Sequence, residues 1–286
     1  MKLIVPVEQR VITPRRGLLD IDLKGLWNYR DLYVMYIKRD IVTQYKQTIL
    51  GPLWYLIQPL ITTVMYMFVF GGLAGISTDG APQALFYLAG IVLWGYFSNC
   101  FNACSNVFTA NAGVFGKVYF PRLVVPLSAV TSNLIKMLIQ LLIFVIVYIY
   151  YKFFTETGQI LEINASLFLF PGLIILLALH SMSWGLIVSS LTTKYRDLTF
   201  LVQFGIQLFM YATPVIYPLS AAPEKYRDII ALNPLTPIFE AFKYSTLSCG
   251  SLDWGGLLYS SVFMFVTLFL SVIIFSRTER NFMDTV

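Results

Sequence analysis

The chain has 286 residues, 57% of them hydrophobic and 12% charged, with a mean hydropathy of +0.71. That charged share is about half the usual one and cannot coat a soluble globule, while the apolar excess excludes disorder. Three cysteines exclude a disulfide framework, which leaves a polytopic membrane protein.

The first fifty residues carry nine Lys or Arg and no long apolar core, so no cleavable signal peptide is expected. Within them, residues 24–50 are too polar to span. Tyr29, Tyr33, Ile37, Ile41 and Tyr45 recur every four residues and share one helical face. Most of the charges lie off that face. With Trp27 this predicts an amphipathic helix in the cytoplasmic interface; a solvated linker helix is the alternative. Gly51-Pro52 stops it. Residues 1–50 are thus expected to form a cytoplasmic segment and 51–286 a transmembrane domain.

A bilayer core about 30 Å thick needs about 20 apolar residues in a helix. Six stretches qualify, roughly 53–75, 84–108, 123–151, 166–191, 199–218 and 256–276. The fold class is therefore all-α, with six transmembrane helices. If the N-terminus is cytoplasmic, the inner segments hold fifteen Lys/Arg and the outer segments four. That bias places both termini in the cytoplasm. It also accounts for the net charge of +5 without nucleic acid.

Between the fifth and sixth stretches lies a long outer segment, broken by prolines at 218, 223, 234 and 237. Its apolar runs are too short to span. Two short helices that dip into the outer leaflet or lie on it fit the pattern, because re-entrant backbone needs protein or a water cavity to satisfy it.

No Asp or Glu falls in any of the six stretches, which argues against a proton- or sodium-driven secondary transporter. A membrane-embedded acid/base enzyme is weakened on the same ground. His180 is the single histidine, so multi-His metal sites are excluded and it reads as a packing residue. Cys100 and Cys104, one turn apart, read as small packing residues. Gly71 and Gly75 form a small-xxx-small pair suited to close helix contact. Gly116-Lys117 is not a phosphate-binding loop, because Asn111 and Val118 occupy its required Gly and Ser/Thr positions. Any driving nucleotide must bind another subunit. Lys136 lies near mid-membrane, where it contacts an anionic substrate, or else snorkels or pairs with Asn133 or Gln140. Tyr55, Tyr66, Phe70, Phe204, Phe209, Tyr211 and Tyr217 are candidates to line a path, since aromatic faces suit the C–H side of a sugar. Packed or lipid-facing rings are the plainer reading of each.

The run KRDI…YKQTILGPLW…QPL, the segment GKVYFPRLVVPLS (116–128), residues 193–218 and NPLTPIFEAFK (233–243) together resemble the membrane subunits of type-2 ABC exporters for polysaccharide. That family handles O-antigen, teichoic acid and capsule. The resemblance covers about residues 20–280. It implies a homodimeric permease in the inner membrane of a bacterium, with ATP and Mg held by a separate ATPase subunit. A lipid-linked glycan is the implied cargo. It puts ATPase coupling on Phe115, Gly116, Lys117, Tyr119, Phe120, Pro121 and Arg122, with Lys194, Arg196 and Asp197 facing the same partner. Trp54 and the candidate aromatics, with Lys136, are implied to line the channel. Pro234, Pro237, Phe239 and Phe242 are implied to form an outer gate of two short helices, 220–231 and 233–246. A lipid or drug as cargo is the nearest alternative, followed by an assembly protein without transport.

Overall fold

The computed structural model describes residues 23–46, 48–118, 120–159, 161, 165–195 and 197–285. Among them every regular element is helical. A short α1 (Leu23–Asn28) leads into α2 (Arg30–Tyr45). A 3₁₀ turn opens α3 (Trp54–Tyr66), which runs into a π turn over Met67–Leu73. Then come α4 (Gln83–Ser105), α5 (Val107–Phe115), α6 (Val124–Phe154), α7 (Phe170–Lys194) and α8 (Leu198–Tyr211). Two short helices, α9 (Glu224–Ala231) and α10 (Thr236–Leu247), precede the long α11 (Trp254–Thr285).

Five segments among the described residues are long and apolar enough to cross a membrane: Gly51–Leu73, Gln83–Ser105, Val124–Phe154, Ala165–Lys194 and Trp254–Glu279. They coincide with five of the six predicted stretches. The remaining one, 199–218, departs from expectation. Its helix ends at Tyr211 after 14 residues, about 21 Å at 1.5 Å per residue. Pro214 and Pro218 are the cause, since each lacks an N–H and clashes with a helical carbonyl. The chain continues as buried turns over Thr213–Ile216.

The core is built around α4. Of its apolar stretch 72% is buried, against 11% for Gly51–Leu73. Glycines set how closely its neighbours approach. A Cβ on Gly185 of α7 would sit 2.5 Å from the Cys104 Cβ and 2.9 Å from the Phe101 carbonyl. One on Gly90 of α4 would meet the Val215 carbonyl at 2.4 Å. The α7–α11 seam is joined by a 3.1 Å hydrogen bond between His180 Nε2 and the Ser260 hydroxyl. His180, Cys100 and Cys104 are all buried packing residues.

The glycine pair behaves differently from its expectation. Gly71 lies close under the Gln83 side chain, with the added Cβ 2.5 Å from Oε1. Gly75 has nothing within 4 Å and a φ of +63°. It turns the chain after the π segment and makes no helix contact.

A helix, α2, forms within the predicted segment 24–50. Tyr29, Tyr33, Ile37 and Ile41 are half-buried, and Tyr36 beside them is buried. α2 lies along α6, where the Tyr33 and Thr131 hydroxyls share a 2.6 Å hydrogen bond.

Candidate coupling surface, substrate path and polar cavity

The loop after α5 is held by an aromatic cluster. Phe115 and Phe120 are buried, with ring centroids 5.7 Å apart. Phe120 also meets Tyr36 of α2 at 6.2 Å. Phe108 bridges Phe115 and Phe275 of α11, at 6.1 and 4.8 Å. Arg122 sits over the Phe115 ring, donates a 2.6 Å hydrogen bond to the Glu279 carbonyl and pairs with its carboxylate at 3.9 Å. Phe115, Phe120 and Arg122 therefore anchor the loop to α2 and α11. Gly116, Lys117 and Val118 are the exposed residues there, with Pro121 half-buried. In the second loop Lys194 and Asp197 are exposed. Tyr119 and Arg196 lie outside the described residues.

The candidate path aromatics divide into three groups. Trp54, Phe204 and Tyr211 are exposed, and Phe68 and Phe200 join them. Phe200, Phe204 and Tyr211, with Leu208, follow helical spacing along one face of α8. Phe209 turns inward, 6.1 Å from Trp94 and 5.7 Å from Trp184. It is half-buried against the core. Tyr66 and Phe70 are half-buried. The Tyr66 hydroxyl points at the Met210 sulfur, 3.6 Å away, so α3 and α8 meet there. Tyr217 donates to the Tyr211 carbonyl at 2.8 Å.

The segment between α8 and α11 is less superficial than its sequence suggests. α9 is largely exposed, but α10 is built into the core. Pro234, Pro237, Phe239 and Phe242 are all buried. Phe239 meets Trp94, and Phe242 meets Phe144 and Phe170, all within 6.4 Å. These four are packing residues here, because α10 closes the gap between α4, α7 and α11. Lys243, fully buried, donates to the Pro214 carbonyl and lies 3.9 Å above the Phe86 ring. Burial lowers its ammonium pKa to about 8, with Glu240 opposing the shift. Burial raises the Glu240 carboxyl, which accepts a 3.3 Å hydrogen bond from the Leu219 N–H. Asp79 accepts from the Ser220 hydroxyl.

A separate polar cavity of about 510 Å³ opens between α2, α3, α4, α5 and α6. It sits at the end of the bundle that carries α2. Lys136 and Tyr55, two of the implied channel residues, line it. The Lys136 ammonium donates to Asn133 Oδ1 at 3.1 Å and lies 5.9 Å from the Tyr55 ring centroid. The pairing with Asn133 expected from sequence is thus present, and the ammonium still borders open space.

Residues 32–247 match the family model described as ABC-2 type transporter. The chain belongs to the ABC-2 type transporter family. It is 27% identical over 257 residues to an O-antigen export system permease protein RfbA of Klebsiella pneumoniae, covering 89% of this chain and 94% of that one. It is 24% identical over 224 residues to a Myxococcus xanthus protein of the same name, at 77% and 82% coverage. Similarity to the polysialic acid transport protein KpsM of Escherichia coli is 24% over 243 residues, at 85% and 91%.

In this ABC-2 chain, sequence reasoning missed two groups. Phe68 and Phe200 carry the same signal as the aromatics that were named, an apolar ring on a peripheral helix. The amide-bearing residues of the cavity, Gln58, Asn99, Asn106 and Asn111, have a weaker one. Their shared feature is polarity within or beside apolar helices, and only helix packing brings them together.

Proposed function

We propose that this chain is the permease subunit of an ATP-driven exporter that moves a cell-surface polysaccharide out across the cytoplasmic membrane. The observation that carries this reading is similarity to O-antigen export permeases along 89% of the chain. The nucleotide would bind a separate ATPase subunit. Two copies of the permease would frame the channel, with the exposed faces of Gly51–Leu73 and α8 turned toward the partner copy. Support comes from the apolar exposure of both faces, including Phe68, Phe200, Phe204 and Tyr211. Such rings offer repeated weak stacking to a sliding glycan.

Six crossings with both termini cytoplasmic follow from the Lys/Arg bias. The path of 198–220 supports the count. It starts four residues after Lys194, at the end of α7. At its far end the Ser220 hydroxyl bonds Asp79, in the loop that precedes α4. The short α8 and the buried turns after it thus lead from one end of α4 toward the other.

Coupling would act through the exposed tip at Gly116–Val118. Because Phe115 and Phe120 lock the tip to α2 and α11, a push on it moves those helices as a rigid unit. Affinity purification of the tagged chain from its own membranes is the test. Recovery of a stoichiometric ATP-binding subunit, with undelivered glycan accumulating in the cytoplasm of a deletion strain, is expected. A chain recovered alone, and a deletion strain with normal surface glycan, would refute the proposal.

A further inference from the structure

The polar cavity holds one uncompensated charge and an unusual set of hydrogen-bonding groups. Arg39 reaches it, but its guanidinium is neutralised by Asp40, with Nε and Nη2 at 3.0 and 2.8 Å from Oδ1. The Lys136 ammonium has one bond, to Asn133, and keeps two N–H donors for a ligand. Among the described residues, no other carboxylate lines the space. The net charge of the lining is therefore that of a single cation, held where the surrounding helices lower the dielectric and strengthen its pull on an anion.

The neutral groups divide by role. The Asn106 and Asn111 amide nitrogens each donate to a carbonyl of their own helix at 2.9 Å, which leaves the side-chain oxygens as acceptors. The amides of Gln58, Asn99 and Gln140, which line the same space, have no hydrogen-bond partner among the described residues. The Tyr96 hydroxyl, on a side chain 2% exposed, is likewise unpartnered. A buried hydroxyl such as that of Tyr96 normally finds a partner, whereas Gln58 and Asn99 are exposed to the cavity.

An ionised phosphate ester group mainly accepts hydrogen bonds and leaves the free amide oxygens without donors. A sugar hydroxyl both donates and accepts, so it matches a wall that mixes the two. A volume of about 510 Å³ falls in the range of small-molecule sites, about 300–1,000 Å³. We propose that this cavity binds a glycosyl phosphate, with Lys136 on the phosphate and the side-chain amides on the sugar. Resting on the exporter reading, it would receive the sugar–phosphate junction of a lipid-linked glycan. On that reading α2 would lie at headgroup depth beside the opening. The polymer path would remain at the exposed aromatic faces of α3 and α8, with this cavity seating its phosphorylated end.

Basic pockets between membrane helices also bind phospholipid headgroups, so the test separates the two sources. The full-length chain in phosphatidylcholine nanodiscs is titrated with N-acetylglucosamine 1-phosphate, N-acetylglucosamine, inorganic phosphate and dihexanoyl phosphatidylglycerol. Saturable binding of the sugar phosphate is expected, at least tenfold tighter than each of the other three. Lys136→Gln and Asn99→Leu are each expected to weaken it at least tenfold. Asn99 is exposed to the cavity and its replacement leaves the helix packing intact, so it reports on the site even if Lys136→Gln is poorly folded. Equal binding of phosphatidylglycerol, or affinity unchanged in Asn99→Leu, would overturn the site. So would glycan export that survives both substitutions in a strain where deleting the chain stops export, and that result would leave the exporter reading standing.

Discussion

The Lys243 ammonium donates a 2.6 Å hydrogen bond to the carbonyl of Pro214, 29 residues earlier in the chain. It also approaches the Tyr217 carbonyl at 3.4 Å, so one buried cation closes the turn where α8 ends. Lys243→Met would leave both carbonyls unpaired and Glu240 without its neighbouring positive charge. Breaking such buried ionic arrangements costs about 3–5 kcal/mol. A lower melting temperature in detergent is expected for the single variant. Adding Glu240→Gln should restore part of the loss, which a double-mutant cycle measures.

Gly90 and Gly95 share one helix and give opposite expectations. A Cβ at Gly90 would meet the Val215 carbonyl, while nothing lies within 4 Å of one at Gly95. Gly90→Ala should destabilise by about 1–3 kcal/mol through overpacking. Gly95→Ala should stabilise by up to about 1 kcal/mol through helix propensity. Paired thermal melts of the purified variants decide it.

The loop after α5 separates anchoring from docking. Phe120→Ala empties a buried aromatic site and should cost about 3–5 kcal/mol, lowering the amount of folded permease. Lys117→Glu changes an exposed charge and should leave the melt within about 0.5 kcal/mol. Under the proposed function it should still reduce recovery of the ATPase subunit, as read by co-purification.

The rings of α8 separate in the same way. Phe209→Ala should reduce the folded yield, because Trp94 and Trp184 pack against that ring. Phe204→Ala combined with Tyr211→Ala should leave the yield intact and reduce surface glycan several-fold. Normal surface glycan in the double variant would remove those two rings from the path.

Long apolar stretches were legible because their signal is local. Five of them fall within three residues of the limits of the observed apolar spans. The stretch from 199 failed at its second half, where composition reads as apolar but Pro214 and Pro218 end the helix. α10 was recognised as a helix, yet its burial was not, because Lys243 and Glu240 give it the appearance of a surface element. Both charges are satisfied by carbonyls and N–H groups brought in from residues 214–219, which no local pattern reveals. Phe115 and Phe120 were noticed for their motif. Their inward orientation depends on Tyr36 and Phe275, far away in sequence.

The π turn over Met67–Leu73 contains one residue more than an α-helix of the same rise would need. Each residue in an α-helix advances the azimuth by about 100°, so the surplus sets the phase of everything beyond it independently of α3. Deleting one residue from this stretch would let it rewind as α and swing Gly71 away from Gln83, whose side chain now fills the space above it. The segment thereby acts as a phase adjuster, matching a peripheral helix to a core it barely touches.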